Sequence, residues 1–177
     1  RLTGPVEVIL FILAAVLGAY TGFLLSALIS YPMLNNPVLP ALFLASGTSS
    51  GIAATFLFIL IAGKLKGDSH ESHFIHKFEV PIMVTELGLL VCFFVGLYFG
   101  GGQKVVALQN ALSGFWGAVF WIGVFLIGIL IPLFANLAVK DNLKYNKNFI
   151  ILVSIFDLIG VLCLRYFILY AGQLTVA

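Results

Sequence analysis

Charge is what this sequence has least of. Only 9% of its 177 residues are charged while 62% are hydrophobic, and the mean hydropathy is +1.15. A soluble domain carries roughly 25% charged residues. A chain this apolar has too little polar surface to face water on all sides, so lipid must be its solvent. Cysteine is scarce too: Cys92 and Cys163 both lie in apolar runs, where a thiol behaves as a small hydrophobe. Two are too few for a disulfide framework, and they have no metal-site spacing. No histidine sits in the interior of an apolar run, and Met33 and Met83 offer no His/Met pair. That argues against a haem carrier. Phosphate loops, nucleophile elbows and Gly-rich dinucleotide fingerprints are missing as well. Gly100-Gly101-Gly102 joins two apolar runs rather than a strand to a helix, and it reads as a flexible connection. No nucleic-acid partner is expected.

What is present is a series of five long apolar runs, at about residues 5–30, 38–63, 76–99, 114–139 and 148–171. Each is long enough for the ~20 residues that cross a bilayer. They predict an all-α integral membrane protein, a single transmembrane domain of about five helices. In the first run Gly18, Gly22, Ser26 and Ser30 recur at every fourth position, a stripe along which a neighbouring helix can approach closely. Tyr31-Pro32-Met33-Leu34-Asn35-Asn36-Pro37 breaks the helix there, since proline and asparagine favour turns. The second run carries a small polar cluster, Ser46-Gly47-Thr48-Ser49-Ser50-Gly51. The fourth opens with Phe115, Trp116 and Trp121, aromatics suited to the membrane interface, and Pro132 is expected to kink it. The chain starts at Arg1 without a methionine, and no signal-peptide n-region precedes the first run. The reading therefore expects an N-terminally incomplete chain.

The loops give an orientation. Arg1, Lys64, Lys66, Lys77, Lys140, Lys144 and Lys147 fall on one side, and only Lys104 falls on the other. By the positive-inside rule the first side is cytoplasmic. The fragment's N-terminus then lies in the cytoplasm, and the Asn35-Asn36 turn and the C-terminus face outward.

A charge at the bilayer centre costs at least ~2.5–3.5 kcal/mol, so intramembrane ionisable residues need a reason. Glu86 lies near the middle of the third run and Asp157 at similar depth in the fifth, with Arg165 two turns further out. Eight residues turn a helix by roughly 80°, so Asp157 and Arg165 can face one interior, yet they differ too much in height for a direct pair. One reading is a structural ion pair that fixes helix register. The other is a proton path or the surroundings of a polar ligand, with His76, Glu79 and Glu86 as a titratable ladder from the cytoplasmic edge to mid-membrane. His76 and Glu79 taken alone also read as solvated interfacial groups. His70-Glu71-Ser72-His73 and His76 have a spacing seen in some zinc sites, but a short polar loop without cysteine reads more simply as solvated. Tyr20, flanked by Gly18 and Gly22 in the outer half of the first helix, is either a packing tyrosine or a phenol able to donate to a carbonyl.

Several segments taken together resemble the NrfD/PsrC family, the quinone-reactive membrane subunits of polysulfide-reductase-type complexes. They are Tyr20-Thr21-Gly22 with Leu24-Leu25-Ser26, Asn36-Pro37-Val38-Leu39-Pro40, and Leu42 to Gly47 with Gly51. Glu86, Gly128 to Pro132, Arg165-Tyr166 and Ala171-Gly172-Gln173 complete the set. The turn reads Tyr31-Pro32-Met33 where the family commonly has a tryptophan. The resemblance covers nearly all of these residues but only the C-terminal part of a family member, which implies a larger bundle of eight or more helices. It also implies bound menaquinone or ubiquinone contacted by Tyr20. An iron–sulfur subunit would dock on the outer face, with a molybdopterin catalytic subunit beyond it. The iron–sulfur clusters would belong to the partner, and no haem is implied.

The expected function is a quinone-binding inner-membrane anchor of a multi-subunit oxidoreductase, without a complete active site of its own. Tyr20 would bind quinone, Glu86, Asp157, Glu79 and His76 would transfer protons, and Arg165 would be their charge partner. The rivals are a non-redox proton-coupled transporter or proton-conducting subunit, and a purely structural anchor.

Overall fold

A computed structural model describes residues 3–61, 70–138 and 147–174, and every regular element among them is helical. The elements are α1 (Thr3–Ser26), α2 (Leu39–Ile61), α3 (His70–Phe99), α4 (Gln103–Leu112) and α5 (Gly114–Ala118). A π-helix, π1 (Val119–Leu130), then continues into α6 (Ile131–Ala138), and α7 (Lys147–Gln173) is the last helix. Five stretches are long and apolar enough to cross a membrane: Gly4–Ser26, Leu39–Ile61, Phe78–Phe99, Gly114–Leu137 and Lys147–Gln173. The protein is an all-α multi-pass membrane protein.

Helix α1 ends at Ser26 because the next residues serve a different purpose. The segment around Pro32 folds inward, leaving Met33 and Leu34 with 0% and 1% exposure. Asn36 holds it there: its side-chain amide donates to the Phe93 carbonyl at 3.1 Å, and its Oδ1 accepts from the Val38 N–H at 3.0 Å. The second bond starts α2, in the way that short polar residues commonly open a helix. Lys104 Nζ donates to the Asn35 carbonyl at 3.0 Å from the opposite side. The turn thus plugs the lysine-poor end of the bundle with apolar side chains, and Leu34 rests on Gly172 of α7.

The glycine-rich connection makes a tight turn between α3 and α4. Gly101 and Gly102 take φ of +64° and +51°, conformations that glycine adopts without strain. The backbone turns there directly into α4, which lays Ala107 and Ala111 on the bundle.

The fourth span departs from a simple proline kink. The π register extends from Val119 to Leu130, and α geometry resumes at Ile131, beside Pro132. Proline has no N–H to give to either register, so the change falls where the ladder must lose a bond anyway. Gly128 of π1 lies against Gly160 of α7, backbone on backbone, and any Cβ on Gly160 would fall on Gly128 Cα. Small residues permit this close approach, which is the usual way lipid-embedded helices gain contact.

Helix α7 is central: it contacts α2, π1, α6 and α4. The core around it includes Leu42, Phe93, Leu97, Phe120, Phe167 and Ile168. Helix α1 is its opposite, docked on α2 alone among its main contacts, with only 6% of its apolar window buried.

Candidate functional site

The buried polar side chains among the described residues are Asn36, Ser46, Ser49, Glu79, Glu86, Asn136, Ser154 and Asp157. Asn36 belongs to the plug. The others lie within the spans, where each polar group has to find its partner inside the protein.

Helix α3 supplies two carboxyl groups. Glu79 and Glu86 are seven residues apart, two turns on one face, and they are 4% and 5% exposed. Met83, 2% exposed, lies between them on the same stripe. The third carboxyl group comes from α7. Asp157 is 2% exposed, and the Ser49 hydroxyl of α2 donates toward both its oxygens, at 3.0 and 3.1 Å. One O–H is therefore shared across the carboxylate and fixes its orientation. The three buried carboxyl groups are thus carried by two helices, Glu79 and Glu86 by α3 and Asp157 by α7.

Ser49 is singled out by its direction. Ser46, Thr48 and Ser50 donate back to carbonyls of their own helix, Phe43, Ala45 and Gly47, at 3.2, 2.7 and 3.0 Å. That is the common local solution for hydroxyls inside helices. Ser49 alone in that cluster reaches a neighbouring helix.

Arg165 is half-buried, one face of its guanidinium toward the Phe43 ring, with Cζ 5.3 Å from the centroid. Its Nη2 lies 3.6 Å from where a Gly47 Cβ would be, and its buried Nε has no hydrogen-bond partner. Its charge reaches Glu86, though no carboxylate touches it among the described residues. Tyr20 is 56% exposed on the rim, turned away from the face where Gly22 presses on Pro40. His76 lies in α3, but its side chain falls outside the described residues, as do those of His70 and His73. An apolar groove of about 300 Å³ runs between α3 and π1, lined by Leu87, Leu90, Phe94, Phe120, Trp121 and Phe125 among others. It has no polar lining, so it suits hydrocarbon.

The arrangement brings together Glu79, Glu86 and Asp157 and leaves Tyr20 apart from them. Reading the sequence missed Ser49 as the partner of Asp157, and Ser154 and Asn136 as buried polar side chains. Asn136 carried a signal, a carboxamide one turn past Pro132 in an otherwise apolar run. Ser49 had no signal of its own within a cluster of similar residues.

Comparison with known proteins places this geometry in a family. The sequence matches the family described as "Polysulphide reductase, NrfD" over residues 1–177. It is 89% identical over 177 residues to "Protein NrfD homolog" of Haemophilus influenzae, an alignment covering 100% of this sequence and 55% of that protein. Identity to "Protein NrfD" of Escherichia coli is 49% over 172 residues, covering 97% of this sequence and 54% of the other. For the polysulfide reductase C subunit of Wolinella succinogenes it is 42% over 172 residues, with 96% and 54% covered. The protein spans about half the length of these curated relatives. No solved structure matches it.

Proposed function

The chain belongs to the NrfD polysulphide reductase family, and from that membership we propose that it serves as the quinone-linked membrane subunit of an oxidoreductase complex. In this reading electrons pass between the quinone pool and an iron–sulfur subunit docked on the lysine-poor face, with a molybdopterin catalytic subunit beyond it. The lysine-rich side faces the cytoplasm. The single observation that carries the reading is the set of three buried carboxyl groups, one of them, Asp157, held by Ser49, inside a membrane bundle of this family. The Ser49 bond to Asp157 links α2 to α7 through a buried carboxylate rather than through an acid–base pair.

Menaquinone or ubiquinone supplies the redox chemistry when bound. The Tyr20 phenol suits a quinone carbonyl as a hydrogen-bond donor. Tyr20 is exposed on α1 and its hydroxyl is open to a ligand in this part of the protein. The protein's own contribution is proton handling. His76 and Glu79 receive protons at the lysine-rich edge, Asp157 accepts them on the neighbouring helix, and Glu86 takes them deeper. Met83 blocks the straight route along α3, so the path alternates between α3 and α7. Ser49 orients the Asp157 carboxylate, and Arg165 acts on Glu86 from a distance.

Two substitutions in the whole complex test this reading. Tyr20→Phe should raise the quinone KM or slow quinone-linked turnover; unchanged values would remove Tyr20 from the site. Glu86→Gln should abolish quinone-coupled proton uptake in liposomes while leaving the subunits assembled. Normal uptake would reduce the seam to a structural device. Failure of a gentle extraction to retain quinone and an iron–sulfur partner would favour a proton-coupled transporter instead.

A further inference from the structure

Asn136 is a buried amide that its own helix leaves unsatisfied. It is 5% exposed, and among the described residues both its Oδ1 and its Nδ2 are buried without a hydrogen-bond partner. A buried polar group left without a partner is destabilising, and lipid has no means of satisfying either atom. Other polar side chains in these spans avoid the cost by bonding to their own helix. Thr48, Thr55 and Thr85 donate to carbonyls four residues back, at 3.1, 2.7 and 2.8 Å. Asn136 does not, and its amide makes no bond to its own backbone acceptors.

Its depth gives this meaning. Asn136 is the penultimate residue of the span Gly114–Leu137, and Glu79 is the second residue of the span Phe78–Phe99. The two spans run in opposite directions, so both residues lie at the lysine-rich edge. They are carried by α6 and α3, which touch. The amide stands at the depth where the carboxyl seam begins.

The ligand follows from the two orphaned atoms. A cation would satisfy Oδ1 alone and an anion Nδ2 alone. Only a molecule that both donates and accepts satisfies both, and water is the smallest. Buried waters typically make about three hydrogen bonds to polar groups that otherwise lack them.

We propose that Asn136 holds an ordered water at the lysine-rich mouth of the seam, and that this water is the donor through which Glu79 gains its proton. The proton-relay part rests on the functional reading above; the water site does not. A proton arriving at the water from the lysine-rich side leaves as a different proton to the Glu79 carboxylate, so the water is regenerated and the amide keeps its charge at zero. Asn136 is a positioning residue, acting on the proton through the water it orients.

The test uses the complete complex in liposomes, with asparagine side chains labelled with nitrogen-15 for solid-state NMR. The wild type should show a cross peak between the Asn136 side-chain amide and water, identified by its loss in Asn136→Leu. A missing cross peak overturns the water site. Asn136→Leu should also slow quinone-coupled proton uptake by about a hundredfold, the lower end of what a positioned proton-transfer group contributes, with the quinone KM unchanged. Asn136→Ser keeps a donor and an acceptor and should recover most of the rate, which a mere loss of fit would not. If the cross peak is present and Glu86→Gln is impaired while Asn136→Leu takes up protons normally, the relay through this water falls. If Glu86→Gln is normal too, the proton path itself falls, and the cross peak still decides whether the water is bound.

Discussion

Helices α1 and α7 cross the bundle in the same direction and are both strongly apolar, yet they occupy opposite positions. Among the described residues, which belong to a sequence spanning about half the length of its curated relatives, 6% of the apolar window of α1 is buried and 39% of that of α7. Hydropathy ranks α1 as the more apolar, at 2.5 against 2.2. In water the more apolar helix would take the centre. In lipid it gains nothing by doing so, because the surroundings are as apolar as its side chains. Position is decided by the residues that lipid cannot accommodate. α7 carries Asp157, Ser154 and Arg165, which need protein partners, and Gly160, which lets π1 come within backbone contact. α1 carries Glu7, exposed near its first turns, and meets α2 through Gly18 and Gly22, at Leu44 and Pro40.

That contrast can be broken at its centre first. Gly160→Ala places a methyl group on Gly128 Cα, where backbone rather than a flexible side group stands in the way, so α7 and π1 must separate. The expected loss is about 3 kcal/mol, read as a fall in the unfolding midpoint of the purified protein. A neutral result would mean that the glycine contact does not hold α7 in place.

The rim should respond less, and locally. Gly22→Ala brings a Cβ to 2.5 Å from Pro40 Cα and 2.9 Å from the Leu39 carbonyl. A loss of about 2 kcal/mol is expected, confined to α1. Hydrogen exchange should quicken in α1 while α7 keeps its protection. Spread of the effect into α7 would show that the two helices are more strongly coupled than their contacts imply.

Ser49→Ala is the smallest change and sharpens the comparison most. It removes the hydrogen bond that ties α7 to α2 at the carboxyl seam. About 1 kcal/mol of stability should be lost, as for other interhelical hydrogen bonds in membranes. Proton uptake should fall further than so small a loss explains, because the Asp157 carboxylate loses its orientation. Equal and small effects on both would make Ser49 a structural tie only.

Much of this was legible in the residues. The scarcity of charge required lipid, and the apolar runs marked five spans. Glu86 and Asp157 were recognisable as carboxyl groups inside the spans, and the structure buries both. Less was legible where short polar residues matter. Ser46, Thr48, Ser49 and Ser50 are alike in sequence, and which one reaches across depends on the rotation of α2 against α7. The Tyr31-to-Pro37 turn reads as a surface break, because prolines and asparagines mark turns wherever they lie. Only the Asn36 bond to Phe93 shows it as a buried plug. The π-helix has no signature beyond Pro132, since its register depends on the neighbour that Gly128 meets.

Composition alone determined the solvent, the number of spans and the need for internal partners. Transfer energies add along a polypeptide regardless of how it folds. Tertiary structure decided which helix is central, which serine holds the carboxylate, and that the acidic seam joins α3 to α7 rather than following one face. Those outcomes depend on distances between residues far apart in sequence, and no local pattern encodes a distance.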